Sequence, residues 1–448
     1  MKIRGVLSLY LPCACLLSNL FYCVASHADT DNLTFSGYVK SYALGQDNIT
    51  LEDVDNNNAD QSIAGNFQSQ NALRLMGSYL SPGNGNIEIH YEIQPWYFSN
   101  TNFITDNSGS TGSGSASLGS TISIANNQYR FKDLKPVLKE IGDNSVILQN
   151  LDRFNYQYSN KYGDLTIGRQ VLSFGSARFI NPTDIFIPFA IQTLNQEYRV
   201  GIDAIRYKAD LGDFAVLDTG IIVGEDGKKE NSAAFIRGKN SVSGNDIEAM
   251  FIFLDDAWLL GAGIERAIGD FGFWFETAYM DWHQSSANNN DTLLLESKED
   301  TYTQSYWRTS IGSDYALTED IIVMLEYHYN GAGSKDALQY QHLTSQAPYQ
   351  KAGVFLLGQH YIIPALTWLA TPLLSVNASA FYNISDNSVF INLSSETSWS
   401  DNLYSDFGLY LSSGENLQYH TGSDMDISFG SEFGAYPLSI YASLRYYF

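Results

Sequence analysis

The sequence predicts an all-β chain closed into a transmembrane, antiparallel, up-and-down β-barrel of about 18 strands, roughly 16 to 20, with one loop folded inward. Three observations predict it. Apolar and polar residues alternate with period two along most of the chain. Tight turns alternate with long polar loops, the pattern of a barrel with one short end and one long end. The last strand carries Ile440, Ala442, Leu444, Tyr446 and the terminal Phe448 on one apolar face.

Composition agrees. The chain has 49 acidic and 25 basic residues in 448, a net charge of −24, so no nucleic-acid partner is expected. No apolar run long enough for a membrane helix follows residue 28. A barrel resolves the conflict between a polar composition and a membrane setting, because only alternate residues meet lipid. The 30 tyrosines and 25 phenylalanines suit strands and interfacial girdles, and 10 prolines are few enough for long strands.

The first 28 residues read as a secretory signal peptide. Lys2 and Arg4 precede an apolar stretch from Val6 to Val24, and Ser26-His27-Ala28 offers a cleavage site before Asp29. Residues 29–448 are then one barrel domain. Cys13, Cys15 and Cys23 all fall in the leader. Pro12 and the Phe21-Tyr22 pair spoil a lipid-anchor context for Cys15 and Cys23. The remaining chain has no cysteine, which excludes disulfides and cysteine metal sites there.

Alternation then sorts faces along the chain. Tyr38, Lys40 and Tyr42 oppose Phe35, Val39 and Ala43. Ile87, Ile89, Tyr91 and Ile93 oppose Glu88, His90, Glu92, Gln94 and Trp96. Arg153 and Asn155 oppose Phe154 and Tyr156; Trp274 and Glu276 oppose Phe273 and Phe275. Arg308 and Ser310 oppose Trp307 and Ile311; Glu326 and His328 oppose Leu325 and Tyr327; Tyr404 and Asp406 oppose Leu403 and Phe407. Long loops are expected at 45–69, 99–149, 176–198, 284–300, 333–352 and 415–435. Within 99–149, the Ser/Gly-rich 108–123 is expected to be mobile, and Phe131–Ile141 reads as a short helix or a basic patch. The acidic run at 52–60 is spaced like a calcium loop but lacks its glycine and its late glutamate, so no metal site is expected.

The stretch Asp164–Lys208 organises the rest. It reads as a strand, an inward loop over 176–198 and a returning strand. Phe179, Ile180, Ile185, Phe186, Ile187, Phe189 and Ile191 crowd around the turn residues Asn181-Pro182-Thr183-Asp184. A loop this apolar needs a wall to pack on, and the lumen supplies one. The loop is therefore expected to constrict or plug the barrel. Alternation fails on both flanks, since Arg169 falls on the face of Leu165 and Ile167, and Arg206 on the face of Ile202 and Ala204. A lipid-facing charge costs about 2–4 kcal/mol at mid-membrane. A bulge at Gly168 is expected to turn Arg169 into the lumen, with Leu172 and Phe174 facing lipid. Arg206 either turns inward or snorkels to headgroups.

Gly168-Arg169-Gln170, Phe174-Gly175, Arg178-Phe179, Arg199 and Asp203-Ala204-Ile205-Arg206 resemble the alginate-export-type group of bacterial outer-membrane barrels. The resemblance implies a barrel of about 18 strands with an arginine-lined pore for an acidic polysaccharide. Asn181–Asp184 departs from that pattern and is similar to other outer-membrane barrels that pair GRQ with NPTD or NPVD. The strand ending in Phe448 resembles the terminal signature of such barrels, which implies the barrel-assembly machinery and outer-membrane lipid or lipopolysaccharide as partners.

The functional expectation is an outer-membrane channel for small hydrophilic solutes, anionic or sugar-like. Arg169, Arg178, Asp184, Glu197, Arg199, Asp203 and Arg308 are the candidate constriction residues. Tyr38, Tyr42, Trp96 and Tyr404 are candidate lumen aromatics. A plugged structural or adhesive barrel is the alternative, and an outer-membrane hydrolase a distant one. The chain holds no G-x-S-x-G, H-E-x-x-H or P-loop, and no cofactor is expected.

Overall fold

A computed structural model describes residues 29–30, 32–53, 60–100, 127–186, 197–282, 305–420 and 426–448. The expected signal peptide, residues 54–59 of the 52–60 acidic run, the Ser/Gly-rich 108–123, Ile187, Phe189, Ile191 and the 284–300 loop lie outside the described residues.

Eighteen antiparallel strands form the wall. They are β1 Leu33–Gln46, β2 Asn66–Ser81, β3 Gly85–Phe98, β4 Ser145–Asn160, β5 Gly163–Gln170 and β6 Ile202–Asp210. Next come β7 Ala215–Ile222, β8 Ala233–Val242, β9 Asn245–Leu254, β10 Ala257–Ile268, β11 Phe271–Trp282 and β12 Ser305–Ala316. The last are β13 Ile321–Asn330, β14 His360–Thr371, β15 Leu374–Asn383, β16 Ser388–Ser400, β17 Leu403–Ser413 and β18 Ser439–Tyr447. β1 pairs with β18 from Tyr38↔Tyr447 to Gln46↔Ser439, which closes the ring. Phe448 and Gly37 exchange backbone hydrogen bonds of 2.8 and 3.0 Å at the seam.

At one end every connection is a two- to four-residue turn. The other end carries the long loops, with two tight exceptions at 255–256 and 384–387. Ile87, Phe154, Ile221, Phe253, Trp307 and Leu444 face outward and are exposed, and similar residues recur on every strand tested by alternation. A closed ring leaves no backbone unpaired at an edge, and this outer band is apolar, so the barrel is built to span a membrane. Beyond the long-loop end, 49–53, 61–63, 417–420 and 426–429 form a separate small sheet around Ile49, Leu51, Leu417 and Tyr419.

The lumen is packed from within. Residues 171–186, 331–359 and 430–438 fold inward from the long-loop end. Leu172, Phe174, Ile185 and Phe186 join Phe235, Ile252 and Leu259 of the wall in one apolar cluster. Ile180, Leu356 and Phe433 join Tyr361, Phe381 and Phe390 in another. Each buried aliphatic or aromatic side chain is worth about 1.5–3 kcal/mol, so loops of this composition stay in the barrel.

Four expectations change. Leu172 and Phe174 do not face lipid; both are 1% exposed inside the lumen, because β5 leaves the wall at Gln170. The inward excursion therefore starts at residue 171. Arg169 does not turn inward. The register runs unbroken through Gly168 and sets Arg169 opposite Phe154 and Asp203, on the outer face. Gly168 is needed for another reason: at φ +112 a Cβ would lie 2.3 Å from the Phe154 carbonyl. Arg169 escapes lipid because residues 130–133 strap across it. It donates to the Leu151 and Lys132 carbonyls (both 2.9 Å) and to Asp133 and Asp203 (both 2.8 Å), and it is 4% exposed. Arg206 points to the lumen side, where Asp218 takes its guanidinium in two bonds. Finally, of the two readings of Phe131–Ile141 the helix drops out and the exposed Lys132, Lys135 and Lys139 remain. The segment is this strap, followed by a short strand at Val137–Ile141 that pairs with the start of β4.

Candidate functional site: the inward loop and its anchors

Two wall carboxylates hold the loop. Glu276 on β11 accepts the backbone N–H groups of Ser176 (2.7 Å), Ala177 (2.9 Å) and Thr183 (2.9 Å), and the Thr183 hydroxyl (2.7 Å). Glu326 on β13 accepts N–H groups from Arg178 (3.0 Å), Phe179 (3.2 Å) and Ile180 (2.9 Å), and the Trp274 indole N–H (2.9 Å). Both carboxylates are 1% exposed or less. Successive N–H groups aimed at one anion make a nest, which compensates a buried charge without a cation. Between them on β12, Ser310 donates to the Ile180 carbonyl (2.6 Å) and Arg308 to that of Pro182 (3.4 Å). Asn181–Asp184 is a turn, with Asp184 N–H donating to the Asn181 carbonyl, so the turn chemistry sits where the chain reverses against the wall.

The loop returns across the barrel. Arg199 pairs with Asp184, drawing the two ends of the excursion together. Burial pushes the Asp184 carboxyl up to about 6, against the opposing pull of Arg199. Glu197 bonds Lys40 and accepts the Tyr447 hydroxyl at 2.6 Å, and these partners hold its carboxyl below the usual range despite burial. Tyr198 lies over the Arg74 guanidinium at 4.4 Å. Tyr404, Tyr447, Tyr38 and Tyr198 make a chain of ring contacts at 5.8, 6.0 and 5.6 Å.

The candidate residues fall into three places. Arg178, Asp184, Glu197 and Arg199 lie on the inward loop and its return. Arg178 is the most open, 44% exposed, with Glu265 3.0 Å away and the Trp274 ring beneath it. Arg308 is buried under the loop. Arg169 and Asp203 sit apart, beneath the outer strap, where they bond each other and not the lumen. Among the aromatics, Tyr38 and Tyr404 join the ring chain; Tyr42 is packed away at 6% exposure, and Trp96 stacks edge-on to Phe98. Sequence reasoning missed the weight of Glu276 and Glu326, and of Tyr198. The signal was available: carboxylates on the lumen face opposite a loop rich in N–H donors and poor in charge.

The hydrolase alternative has a place to look. Ser310 Oγ and His328 Nδ1 are 2.8 Å apart. Both are 0% exposed, and the hydroxyl is spent on Ile180, so the pair serves loop anchoring.

The wall and its inward loop together define a closed, 18-stranded antiparallel membrane barrel with a packed lumen. No family model and no curated protein matches the sequence. Solved structures share the fold: OccK8 (OprE) of Pseudomonas aeruginosa (TM-score 0.52, 8% identity, 94% of this chain and 99% of that one) and OccAB2 of Acinetobacter baumannii (0.51, 8%, 94% and 99%). OccK5 (OpdH) of Pseudomonas aeruginosa is similar at 0.50, with 7% identity over 92% and 97% of the two chains.

Proposed function

We propose that this protein is an outer-membrane channel for small hydrophilic solutes, narrowed by residues 171–186 and 197–201, with a preference for anionic or hydroxyl-rich solutes. The observation that carries the reading is the loop held against the far wall by Glu276 and Glu326, with open charges left around it. Arg178 and Glu265, Glu197, and Arg445 with Glu396 stay between 15 and 44% exposed on the lumen side. Partly solvated charges at a narrowing are what sets ion preference in pores. The apolar clusters fill the β6–β12 side and the outer half of β14–β17. Solutes then pass along the short-turn halves of β1–β3 and β16–β18, where Ser36, Ser78, Glu88 and His90 stay partly open while Lys40, Tyr42 and Arg74 are buried. The leader at 1–28 would direct export, and Phe448 at the ring seam would present the last strand to the assembly machinery. The alginate-export resemblance rests largely on Arg169 and Asp203–Arg206, which serve the wall, so it supports architecture more than an acidic polysaccharide as solute.

The three inward loops favour a second reading, a plugged structural barrel. Conductance of the refolded protein in planar bilayers under a salt gradient separates the two. Steady conductance with a reversal potential on the anion side supports the channel; a folded barrel that stays closed supports the plug.

A further inference from the structure

The wall is short where the strap lies. β5, β6 and β7 have 8, 9 and 8 residues, against 14 and 16 in β1 and β2. At about 3.3 Å per residue and a tilt near 45°, nine residues climb roughly 21 Å, less than the ~25 Å apolar band of such barrels. The strap adds the missing height. Tyr129 still packs in the lumen cluster, but Phe131 has crossed to the outer face. There its N–H meets the Asp203 carboxylate at 2.9 Å, and its carbonyl accepts Asp226 N–H at 3.0 Å. Phe131, Leu134, Val137, Leu138 and Ile141 are all exposed, by 40 to 51%.

Lysines are interleaved with them. Lys132, Lys135 and Lys139 on the strap, and Lys228 and Lys229 on the adjoining 223–232 connection, are exposed. Lys229 reaches Asp255. The other four have no acidic partner within 4 Å among the described residues, although the chain carries a net charge of −24. Glu140, Asp143 and Glu230 share this rim and are exposed too, so divalent cations can bridge them to an anionic headgroup.

We propose that the strap is a docking surface for a phosphorylated, multiply acylated lipid of the outer leaflet. Its chains lie on Phe131, Leu134 and Leu138, and its phosphates meet Lys132, Lys135, Lys139 and Lys228. The proposal rests on the membrane-barrel reading but not on conductance. It completes the apolar band at its outer edge, where an uncovered apolar patch would be a liability in water and lysines gain from an anionic leaflet.

The test uses the full-length purified barrel in detergent. Lipid A, phosphatidylethanolamine and inorganic phosphate are the probes, and retention is read by native mass spectrometry. Lipid A is expected to be retained over phosphatidylethanolamine and not displaced by millimolar inorganic phosphate. The variant K132Q/K135Q/K139Q/K228Q should lose affinity by roughly fivefold per lysine. L134S/L138S should weaken lipid A and leave no new phosphate binding. Equal retention of the two lipids, displacement by inorganic phosphate, or an unchanged quadruple variant overturns the proposal. Heat-shifted gel mobility of each variant separates a failed barrel from a failed surface.

Discussion

Glu326→Ala should release the inward loop and leave the barrel standing. Glu326 is 0% exposed and accepts four hydrogen bonds, three from consecutive loop amides and one from Trp274. A bond to a charged acceptor is worth about 1.5–3 kcal/mol, and a buried donor left unpaired costs about 1–3 kcal/mol. Taking the low end for the three loop bonds, the loop loses about 4.5 kcal/mol of anchorage. The apolar hold of Ile180 offers about 2 kcal/mol against that, so residues 178–180 come free. Glu276 still holds residues 176, 177 and 183, so the single variant loosens the loop and the double Glu276→Ala/Glu326→Ala variant detaches it. Glu326→Gln should fall between, since one amide nitrogen must face N–H donors. The wall ladder around residue 326 is backbone and survives. Single-channel conductance and the size limit for neutral sugars should rise in the order wild type, Gln, Ala, double, with gel mobility unchanged. Equal conductance and equal size limits across the series would refute the assignment of the loop as the narrowing.

Three further outcomes follow from the same contacts. Arg169→Ala removes a buried guanidinium from Asp133 and Asp203, and should lower unfolding stability by about 3–5 kcal/mol in urea; the reversal potential should not move, and a shift would return Arg169 to the pore. Arg178→Glu places a second carboxylate beside Glu265 and should swing the reversal potential toward cations, most at low salt; no swing would remove Arg178 from the conduction path. Burial raises the Glu432 carboxyl from 4.5 to about 8, where it binds Leu357 N–H and the Asn383 amide. A folded pKa raised this way gives stability that is complete below pH about 4.5 and lost as pH rises through about 8. Hydrogen exchange in 430–438, corrected for intrinsic rate, should therefore quicken across that rise in wild type and stay flat in Glu432→Gln.

Much of the wall was legible. Period-two runs such as Ile87–Trp96 and the apolar face ending at Phe448 placed strands, faces and closure, because lipid on one side and polar lumen on the other enforce alternation residue by residue. The inward loop was legible for a related reason: Phe179, Ile180, Ile185 and Phe186 are too apolar for water. Its start was not, since Leu172 and Phe174 continue the alternation of β5 after the chain has left the wall. Apolar residues look the same whether they meet lipid or a packed lumen. Arg169 was misread because alternation assumes lipid outside every strand; the strap at 130–133 lies about 36 residues upstream, and no local pattern announces a non-local cover. Glu276 and Glu326 were placed on the right face, but their role depends on loop amides a hundred residues away.

The most direct test of the passage is cysteine accessibility. The chain has no cysteine after Cys23, so single substitutions report cleanly. Gln94→Cys and Ser394→Cys lie on the polar lumen faces, Ile252→Cys and Ala278→Cys under the apolar cluster. A charged thiosulfonate reagent applied during single-channel recording should reduce current through the first pair and leave the second pair untouched. Block at Ile252→Cys or Ala278→Cys, with Gln94→Cys and Ser394→Cys silent, would contradict the account and put the passage on the other side of the loop.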